Sequence, residues 1–541
     1  MNWTSSLRWI LGLALLAACQ TPANDPPAPA PDPTPTPTVS SVAADRALLN
    51  KVQEATFRYF WDYAHPVSGM ARERTGSGET VTSGGTGFGV QAIVVASSRG
   101  WVTRADAVAH LTKICAFLGK AERFHGVWSH WLNGSTGAAI PFSQQDDGGD
   151  LVETSYLING LLIARTYFNG SDPAETALRQ QITQLWEGVE WDWYASRGDG
   201  LLYWHWSPLY GWSMNLPIRG WNEALITYVV ALASPTHPIA PATYRSTWAA
   251  GLSTAPSTYE GYPLNVGPAY GGPLFFAHYS FLSLDPRQMQ DQYANYWLQN
   301  VRHTLINRAW CVYSAPKSYG YYASSWGLTA SDDPAGYRAH QPTDDNGTVA
   351  PTAALSSMPY TPYYSMLVLR NLYSTTLGAV TGQYGPYDAY NRSQNWIAGS
   401  FLAIDQGPIV AMLENYRTGL LWQLGRNTPE LQTGLRLAGI QPPTYETGFS
   451  LAVPEVRTGV VDLLRHPEQD AYLIDIALAA PGSSTLTLLK ADGTAAETIW
   501  QNEAKAAGVH AVRFGAAAVT GTYTLRLQTG AITKELSLSL H

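Results

Sequence analysis

The sequence predicts an all-α toroid of paired helices followed by a small antiparallel β-sandwich. Between residues 45 and 438, apolar residues recur at helical spacing in segment after segment, and strand alternation is scarce. After about Tyr445 the pattern changes to short alternating or apolar runs of β-forming residues, separated by Asp-Gly and Thr-Gly turn signals. We therefore predict an all-α domain over residues 44–445 and a β-sandwich accessory domain over residues 446–541.

The N-terminus has the pattern of a secretory signal. Arg8 precedes an apolar run that is too short to span a bilayer. The run ends in Leu16-Ala17-Ala18-Cys19, which resembles a bacterial lipobox, and the eight prolines of residues 20–40 predict an extended spacer. We predict a lipoprotein signal peptide (1–19) lipidated at Cys19, a Pro-rich linker (20–43), and a location in the periplasm or at the outer-membrane surface. The alternative is an ordinary secretory signal with an incidental cysteine.

Helical periodicity and capping signals predict about a dozen helices. The first places Leu49, Val52 and Phe57 near one face, and the third follows the N-cap residue Thr103. The stronger candidates cover residues 46–63, 88–98, 104–123, 150–168, 175–190, 221–233, 286–309, 361–373 and 407–424. The weaker candidates cover residues 241–251, 271–282 and 395–404.

Four carboxylates stand at the entrance to the fourth helix, in the segment QQDDGGDLVETSYLING (144–160). Asp146, Asp150 and Glu153 are spaced by four and three residues, so a helix brings them to one face. Crowded carboxylates repel, and one of them tends to keep its proton, which suits acid/base chemistry. The alternative is a capping box, with Asp150 as N-cap and Glu153 three residues later. The segment alone does not decide between the two.

Two further acids begin apolar segments. Glu223 lies in IRGWNEALITYVV and is flanked by tryptophans, which would desolvate it and raise its pKa. Asp405 lies in FLAIDQGPIV, where a helix cap is also plausible. Both can be structural acids at helix entrances, or parts of one site with the acids of residues 144–160.

Composition indicates a carbohydrate ligand and argues against several other partners. The chain has 20 Trp and 31 Tyr against 33 Lys plus Arg, and flat aromatic faces suit sugar rings, although a large core also uses them. A net charge of −8 without a basic patch disfavours nucleic acid. Cys115 and Cys311 have no zinc-ligand pattern and are either one disulfide or buried thiols. We expect a monomer with no cofactor and no metal.

Five long motifs occur in one order and resemble glycoside hydrolase family 144, the bacterial β-1,2-glucanases within the glycoamylase-like group. The resemblance covers roughly residues 45–440. The motifs are TGFGVQAIVVASSRGW (86–101), QQDDGGDLVETSYLINGLL (144–162), RGWNEALITYVVALASPTHPI (219–239), GPLFFAHYSFLSLDPR (272–287) and AIDQGPIVAMLENYRTGLLW (403–422).

The resemblance implies an (α/α)6 barrel catalytic domain and inverting hydrolysis of β-1,2-glucan, endo-acting or releasing sophorose from an end. The family's acids map to Asp146, Asp150, Glu153, Glu223 and Asp405. We expect Glu223 to be the general acid and the Asp150/Glu153 pair to supply the base, tuned by Asp146. The residues expected to bind substrate are Trp204, Trp206, Trp212, Arg219 and Trp221.

Two other classes of protein remain open. A non-catalytic surface glycan-binding lipoprotein explains the aromatic residues and the anchor, but explains the retained acids poorly. A polysaccharide lyase also uses helical toroids, but it usually needs Tyr or His bases and cationic groups that neutralise a uronate, so the acidic motif argues against it.

Overall fold

Thirteen α-helices lie between residues 41 and 449 in the described parts of the chain. The computed structural model describes residues 41–252, 255–374, 378–449, 459–515 and 520–541. The helices are α1 (Val42–Trp61), α2 (Ser83–Arg99), α3 (Arg104–Leu118), α4 (Leu151–Tyr167), α5 (Pro173–Glu187), α6 (Leu225–Ala233), α7 (Pro241–Ser246), α8 (Tyr296–Ala309), α9 (Pro351–Leu355), α10 (Pro362–Leu372), α11 (Ala403–Arg417), α12 (Leu420–Arg426) and α13 (Pro429–Ala438).

Several predicted helices are shorter than expected or absent. The helix predicted from residue 221 begins at Leu225, because the Asn222 side chain accepts a hydrogen bond from the Ala224 amide and holds a turn. Residues 395–402 are not helical: Asn395 has a φ of 49°, a short strand covers Trp396–Ile397, and α11 begins only at Ala403. The helix predicted over 407–424 is broken at Gly419, whose φ is 73°. Helices α9 and α13 were not predicted.

The other differences are local. The segment 271–282 forms two 3-10 turns, Leu274–Ala277 and Tyr279–Leu282. Residues 286–288 form another 3-10 turn, and the helix that was predicted to begin there begins at Tyr296.

Helices α2 and α4 are the central pair of the helical region. Every residue of α2 from Ser83 to Ala96 is buried, as is every residue of α4 from Leu151 to Ala164, the pattern of helices covered on all sides. Glycines let their backbones approach: a methyl group on Gly87 would overlap the Tyr156 carbonyl, and one on Gly160 would overlap Gly87. The glycine-rich segment before Phe88 is therefore a helix-crossing contact.

Short strands lie in the long loops between the helices, where the sequence indicated little strand structure. They form two- and three-stranded sheets. They are β1 (Thr80–Thr82), β2 (Trp131–Asn133), β3 (Ala139–Ile140), β4 (Gly149–Asp150), β5 (His205–Trp206), β6 (Ser257–Tyr259), β7 (Tyr262–Leu264), β8 (Ala330–Asp333), β9 (Gly336–Ala339), β10 (Thr348–Val349), β11 (Thr381–Gly382), β12 (Gly385–Pro386), β13 (Tyr390–Asn391) and β14 (Trp396–Ile397).

The C-terminal region is a strand structure with its own hydrophobic core. Its five-stranded sheet has the order β15-β21-β20-β17-β18, and β16 pairs with β19. Side chains of both sheets share one core, including Ile476, Leu486 and Leu525. The expectation of a purely antiparallel structure is wrong in one place, because β15 runs parallel to β21. The strands are β15 (Val461–Leu463), β16 (Tyr472–Leu478), β17 (Gly482–Lys490), β18 (Ala495–Lys505), β19 (Gly508–Phe514), β20 (Gly521–Thr529) and β21 (Ile532–Leu540).

The predicted signal peptide, Cys19 and residues 20–40 of the linker lie outside the described residues. Within the described ranges, no helix is both long and apolar enough to cross a membrane. Cys115 and Cys311 are buried free thiols.

Candidate active site

Asp150 is the N-cap of α4 and also the centre of a charged cluster. Its Oδ1 accepts hydrogen bonds from the amides of Val152 at 3.0 Å and Glu153 at 2.9 Å. Its Oδ2 lies 3.3 Å from His130 Nδ1 and 3.8 Å from His205 Nδ1. Burial disfavours its charge, but the two imidazoles and the helix amides lower its pKa below the usual range. Asp150 is therefore a helix cap and a member of a crowded charged cluster at once.

Glu153 does not close the capping box. Its Oε2 accepts a hydrogen bond at 3.0 Å from the Gly84 amide of α2. In a capping box it would accept from the Asp150 amide instead. A methyl group at Gly84 would collide with this carboxylate, so the position requires glycine. Burial raises the pKa of Glu153 to about 7, with Asp150 and Asp146 adding to it while His130 opposes them. A carboxyl group with that pKa can exchange a proton near neutral pH.

Two histidines that we did not predict as site residues neutralise this cluster. Strand β5 pairs with β4, which sets His205 opposite Asp150, and His205 Nδ1 lies 3.2 Å from Asp146 Oδ1. Burial lowers the pKa of His130, but Glu153, Asp150 and Asp146 raise it to about 9. His130 is therefore an imidazolium at neutral pH, which keeps Asp150 ionised.

Glu223 lies in the turn before α6, and its carbonyl accepts a hydrogen bond from the Ser280 hydroxyl. Its side chain is half-buried. Burial raises its pKa to about 7, and the charges of Glu153 and Asp150 add to the shift. Glu223 is thus a desolvated carboxyl group whose side chain still reaches solvent. Tyr156, one turn after Glu153 on α4, has a phenol pKa raised by burial and then by the charges of Glu223 and Glu153.

The predicted aromatic residues divide into two groups. Trp204, Trp206 and Trp212 are half-buried on the loop that carries His205, and Arg219 is exposed. Trp221 is 5% exposed and packs against Tyr296 and Phe281 at ring-centroid distances of 5.8 and 6.0 Å. The structure contradicts a stacking role for Trp221, because its ring is part of the core.

Asp405 belongs to a second group of acids. It lies in the first turn of α11, is 3% exposed, and its carboxyl is within hydrogen-bonding reach of the Asp388 carboxyl. Burial and then the charge of Asp388 raise the pKa of Asp405 well above the usual range. The phenol pKa of Tyr279 is raised by burial and then by charges that include Asp405 and Glu153. Tyr279 is therefore close enough to both acidic groups for their charges to raise its pKa.

One set of donors has the composition of a metal site. The possible ligand atoms of His130, Asp146 and Asp150 lie within 4.8 Å of one another. However, Asp150 already accepts two backbone hydrogen bonds and faces two imidazoles. The three side chains therefore form an ion-pair network, in which His130 is the cation and the two aspartates are the anions.

The sequence contained only weak signals for the missed residues. His130 and His205 stand in the tryptophan-flanked segments SHW and WHW, and Asp388 stands in YGPYDAY. Such neighbours suggest an aromatic loop and do not identify a partner for Asp150 or Asp405.

Comparisons with known proteins agree on one family. The glycoamylase family model, described as "Putative glucoamylase", matches residues 215–429, which include Glu223 and Asp405. The endo-β-1,2-glucanase of Chitinophaga pinensis, solved with sophorotriose and glucose, is 49% identical with a TM-score of 0.71. That match covers 74% of this chain and 99% of that one. The chain belongs to glycoside hydrolase family 144.

Other relatives add to this assignment. A family 144 relative from Parabacteroides distasonis, an exo β-1,2-glucooligosaccharide sophorohydrolase acting at the non-reducing end, is 44% identical over 415 residues. The match covers 72% of this chain but 58% of that protein. A β-1,2-glucanase structure from the same organism is 44% identical, with a TM-score of 0.71, covering 73% of this chain and 60% of that one. A Talaromyces funiculosus endo-β-1,2-glucanase structure, 11% identical with a TM-score of 0.53, shares the fold.

Proposed function

We propose that this protein hydrolyses the β-1,2-glucosidic linkages of β-1,2-glucan with inversion, as an endo-glucanase that gives sophorooligosaccharides. The observation that carries the proposal is the close set of an ionised Asp150 and two carboxyls, Glu153 and Glu223, with pKa values of about 7. Inverting hydrolysis needs one protonated and one ionised carboxyl on opposite sides of the bond. The named activities of family 144 relatives supply the substrate.

We assign the general acid to Glu223. It is half-buried and open to solvent, so a glycosidic oxygen can reach it. Its pKa is raised by burial and by Glu153 and Asp150, while its own backbone amide is the group that favours its charge. The charged form is thus the costly one, and the proton stays on Glu223 up to about neutral pH.

We assign the general base to Glu153. Its carboxylate accepts the Gly84 amide and lies near the His130 imidazolium, and both favour its charged form. Asp150 is 1% exposed and its oxygens are occupied, so it holds the imidazoles and the helix start and leaves the activation of water to Glu153. Asp146 pairs with His205 and tunes the charge of the cluster.

The proposal includes the architecture around these acids. The helical region would be an (α/α)6 barrel with the acids in its central cleft. Trp204, Trp206 and Trp212 would stack on glucosyl units, and Arg219 would bind hydroxyl groups. These side chains lie on or just after the loop that carries His205, so substrate contacts and the charged cluster would be built together.

Product analysis on linear β-1,2-glucan tests the proposal, with NMR of the anomer released first. We expect α-anomers and a range of sophorooligosaccharides. Glu223→Gln should lower kcat by about 10²–10⁴-fold while thermal unfolding stays that of a folded protein. Glu54→Gln, which changes a half-buried acid paired with Arg58 on α1, should be as active as wild type. Near-normal hydrolysis by Glu223→Gln, or binding without cleavage by wild type, would count against it.

An exo-acting enzyme that releases sophorose is the second candidate, because the 44% identical P. distasonis relative has that activity. Early products separate the two modes. An endo-enzyme lowers the viscosity of long glucan before much sugar is released, whereas an exo-enzyme yields sophorose from the first minutes with little loss of viscosity.

We also propose that the protein is anchored by a lipid on Cys19, behind a cleaved signal peptide and a Pro-rich linker. Metabolic labelling with a radioactive fatty acid tests this. Wild type and Cys115→Ala should be labelled and should sediment with membranes, whereas Cys19→Ala should be unlabelled. Labelling of Cys19→Ala would exclude the anchor.

A further inference from the structure

The second acidic group is built around two carboxyls that face each other without a donor. Asp388 and Asp405 are 5% and 3% exposed. Asp388 Oδ1 and Asp405 Oδ2 are buried and have no hydrogen-bond donor, yet the two side chains are within hydrogen-bonding reach of each other. Two carboxylate oxygens in contact repel unless a proton lies between them.

The neighbouring cation is engaged elsewhere. Arg74 donates to Asp332 Oδ1 at 2.7 Å and to Glu73 at 2.9 Å. Asp332 Oδ2 accepts from the Ser400 hydroxyl, and the Asp332 amide donates to Asp388 Oδ2 at 2.6 Å. The Arg74 guanidinium is thus already shared by the carboxylates of Glu73 and Asp332. If Asp388 and Asp405 were both ionised, this single guanidinium would have two further negative charges to compensate.

The pair borders the proposed substrate cleft. Tyr337 on β9 is 51% exposed, and its phenol pKa is raised by burial and then by the charges of Asp405 and Asp388. Tyr337 is thus an exposed ring close enough to the pair to feel its charge. The phenol pKa of Tyr279 is raised by burial and then by charges that include Asp405 and Glu153. The charged and titratable groups facing the pair are thus Arg74, Asp332, Tyr337 and Tyr279.

We infer that Asp388 is a positioning residue for Asp405: the two carboxyls share one proton, which orients Asp405 at the cleft and limits the pair to a single negative charge. The sequence motif contains only Asp405, and Asp388 reaches it from the loop between β12 and β13. Because this role concerns the cleft of the β-1,2-glucanase, its catalytic consequence rests on the proposed function.

The shared proton has a signature in stability that needs no substrate. Burial raises the pKa of Asp388 to about 7, whereas a free aspartate titrates near 3.9. The pKa of Asp405 is raised further, so the folded pair keeps protons that the unfolded chain has released. Stability therefore falls as pH rises toward about 7, and above that pH the pair still holds the one shared proton. Asp388→Asn removes one partner, and its amide donates permanently to Asp405.

Thermal unfolding of the full chain between about pH 5 and pH 8 measures this. The stability of wild type should fall, relative to Asp388→Asn, as pH rises. Asp405→Asn should show the same weaker dependence of stability on pH, and it replaces Asp388→Asn in the test if that variant does not fold. Asp492→Asn, on an exposed turn, should run parallel to wild type. Parallel curves for wild type, Asp388→Asn and Asp405→Asn would overturn the shared proton.

Activity on β-1,2-glucan then tests the positioning role. Asp388→Ala, which leaves Asp405 without a partner, should lower kcat about tenfold, the usual effect of losing a charge-assisted hydrogen bond. Asp388→Asn should recover most of that loss at neutral pH. Equal activity of the two variants would overturn the positioning role. If wild type cleaves no glucan, the proposed function fails, and the unfolding curves still decide whether the proton is shared.

Discussion

Replacing Asp150 by Asn or by Ala separates its two roles. Asn is as good an N-cap as Asp, so Asp150→Asn keeps the hydrogen bonds to the amides of Val152 and Glu153 and removes the negative charge. Asp150→Ala removes both. The difference between the variants measures the cap, and the loss common to both measures the ion pairs with His130 and His205.

The magnitudes follow from the contacts. The cap contributes about 1 kcal/mol. Burial lowers the pKa of His130, but Glu153, Asp150 and Asp146 raise it to about 9 from 6.5, a preference for the imidazolium of about 3 kcal/mol. Because three carboxylates share this effect, loss of Asp150 removes about 1 kcal/mol at His130 and also weakens the ion pair with His205. We expect Asp150→Asn to cost at least about 1 kcal/mol, and Asp150→Ala to cost about 1 kcal/mol more than Asp150→Asn.

The pH dependence of these losses has a definite sign. His130 has a raised pKa in the folded state, so its contribution is fully present below pH 6.5 and is lost as pH rises through about 9. The loss for Asp150→Asn should therefore shrink toward alkaline pH, while the difference between Ala and Asn stays constant.

Urea unfolding at about pH 6 and pH 9.5 measures both quantities. Asp172→Ala is the matched control, since Asp172 caps α5 through the Ala174 amide at 2.8 Å in an exposed position. It should cost about 1 kcal/mol at both pH values. A loss for Asp150→Asn that does not change with pH would refute the charged imidazoles, and equal losses for Asn and Ala would refute the cap.

Three further outcomes follow from the structure. Burial raises the pKa values of Glu223 and Glu153 to about 7. The value of kcat/KM should therefore fall above about pH 7, where the acid Glu223 ionises, and below about pH 7, where the base Glu153 is protonated. A broad plateau in the pH profile would contradict the two assignments. Trp221→Ala should cost about 3–5 kcal/mol in chemical unfolding, whereas Trp204→Ala should mainly raise KM; the reverse result would restore Trp221 as a stacking residue. Gly87→Ala should cost about 1–3 kcal/mol, because its methyl group meets a backbone carbonyl of α4; unchanged stability would mean that the crossing is loose.

Local periodicity was enough to predict part of the acidic cluster. Asp150 and Glu153 lie three residues apart at a helix entrance, and both capping and burial in an acidic cluster could be anticipated from that spacing. The hydrogen-bond partner of Glu153 could not be anticipated, because the Gly84 amide belongs to another helix. The same holds for Trp221, whose neighbours along the chain suggest an open aromatic loop although its ring packs against Tyr296.

Local sequence was sufficient to predict a helical region followed by a strand region, and to single out the acids Asp150, Glu153 and Glu223, because helical spacing and turn chemistry are properties of neighbouring residues. Tertiary structure alone decided what surrounds each acid. His205 reaches Asp150 through the pairing of β5 with β4, and Asp388 reaches Asp405 from a separate loop. Protonation depends on burial and on the nearest charges, and both arise from packing between segments that are distant in the chain.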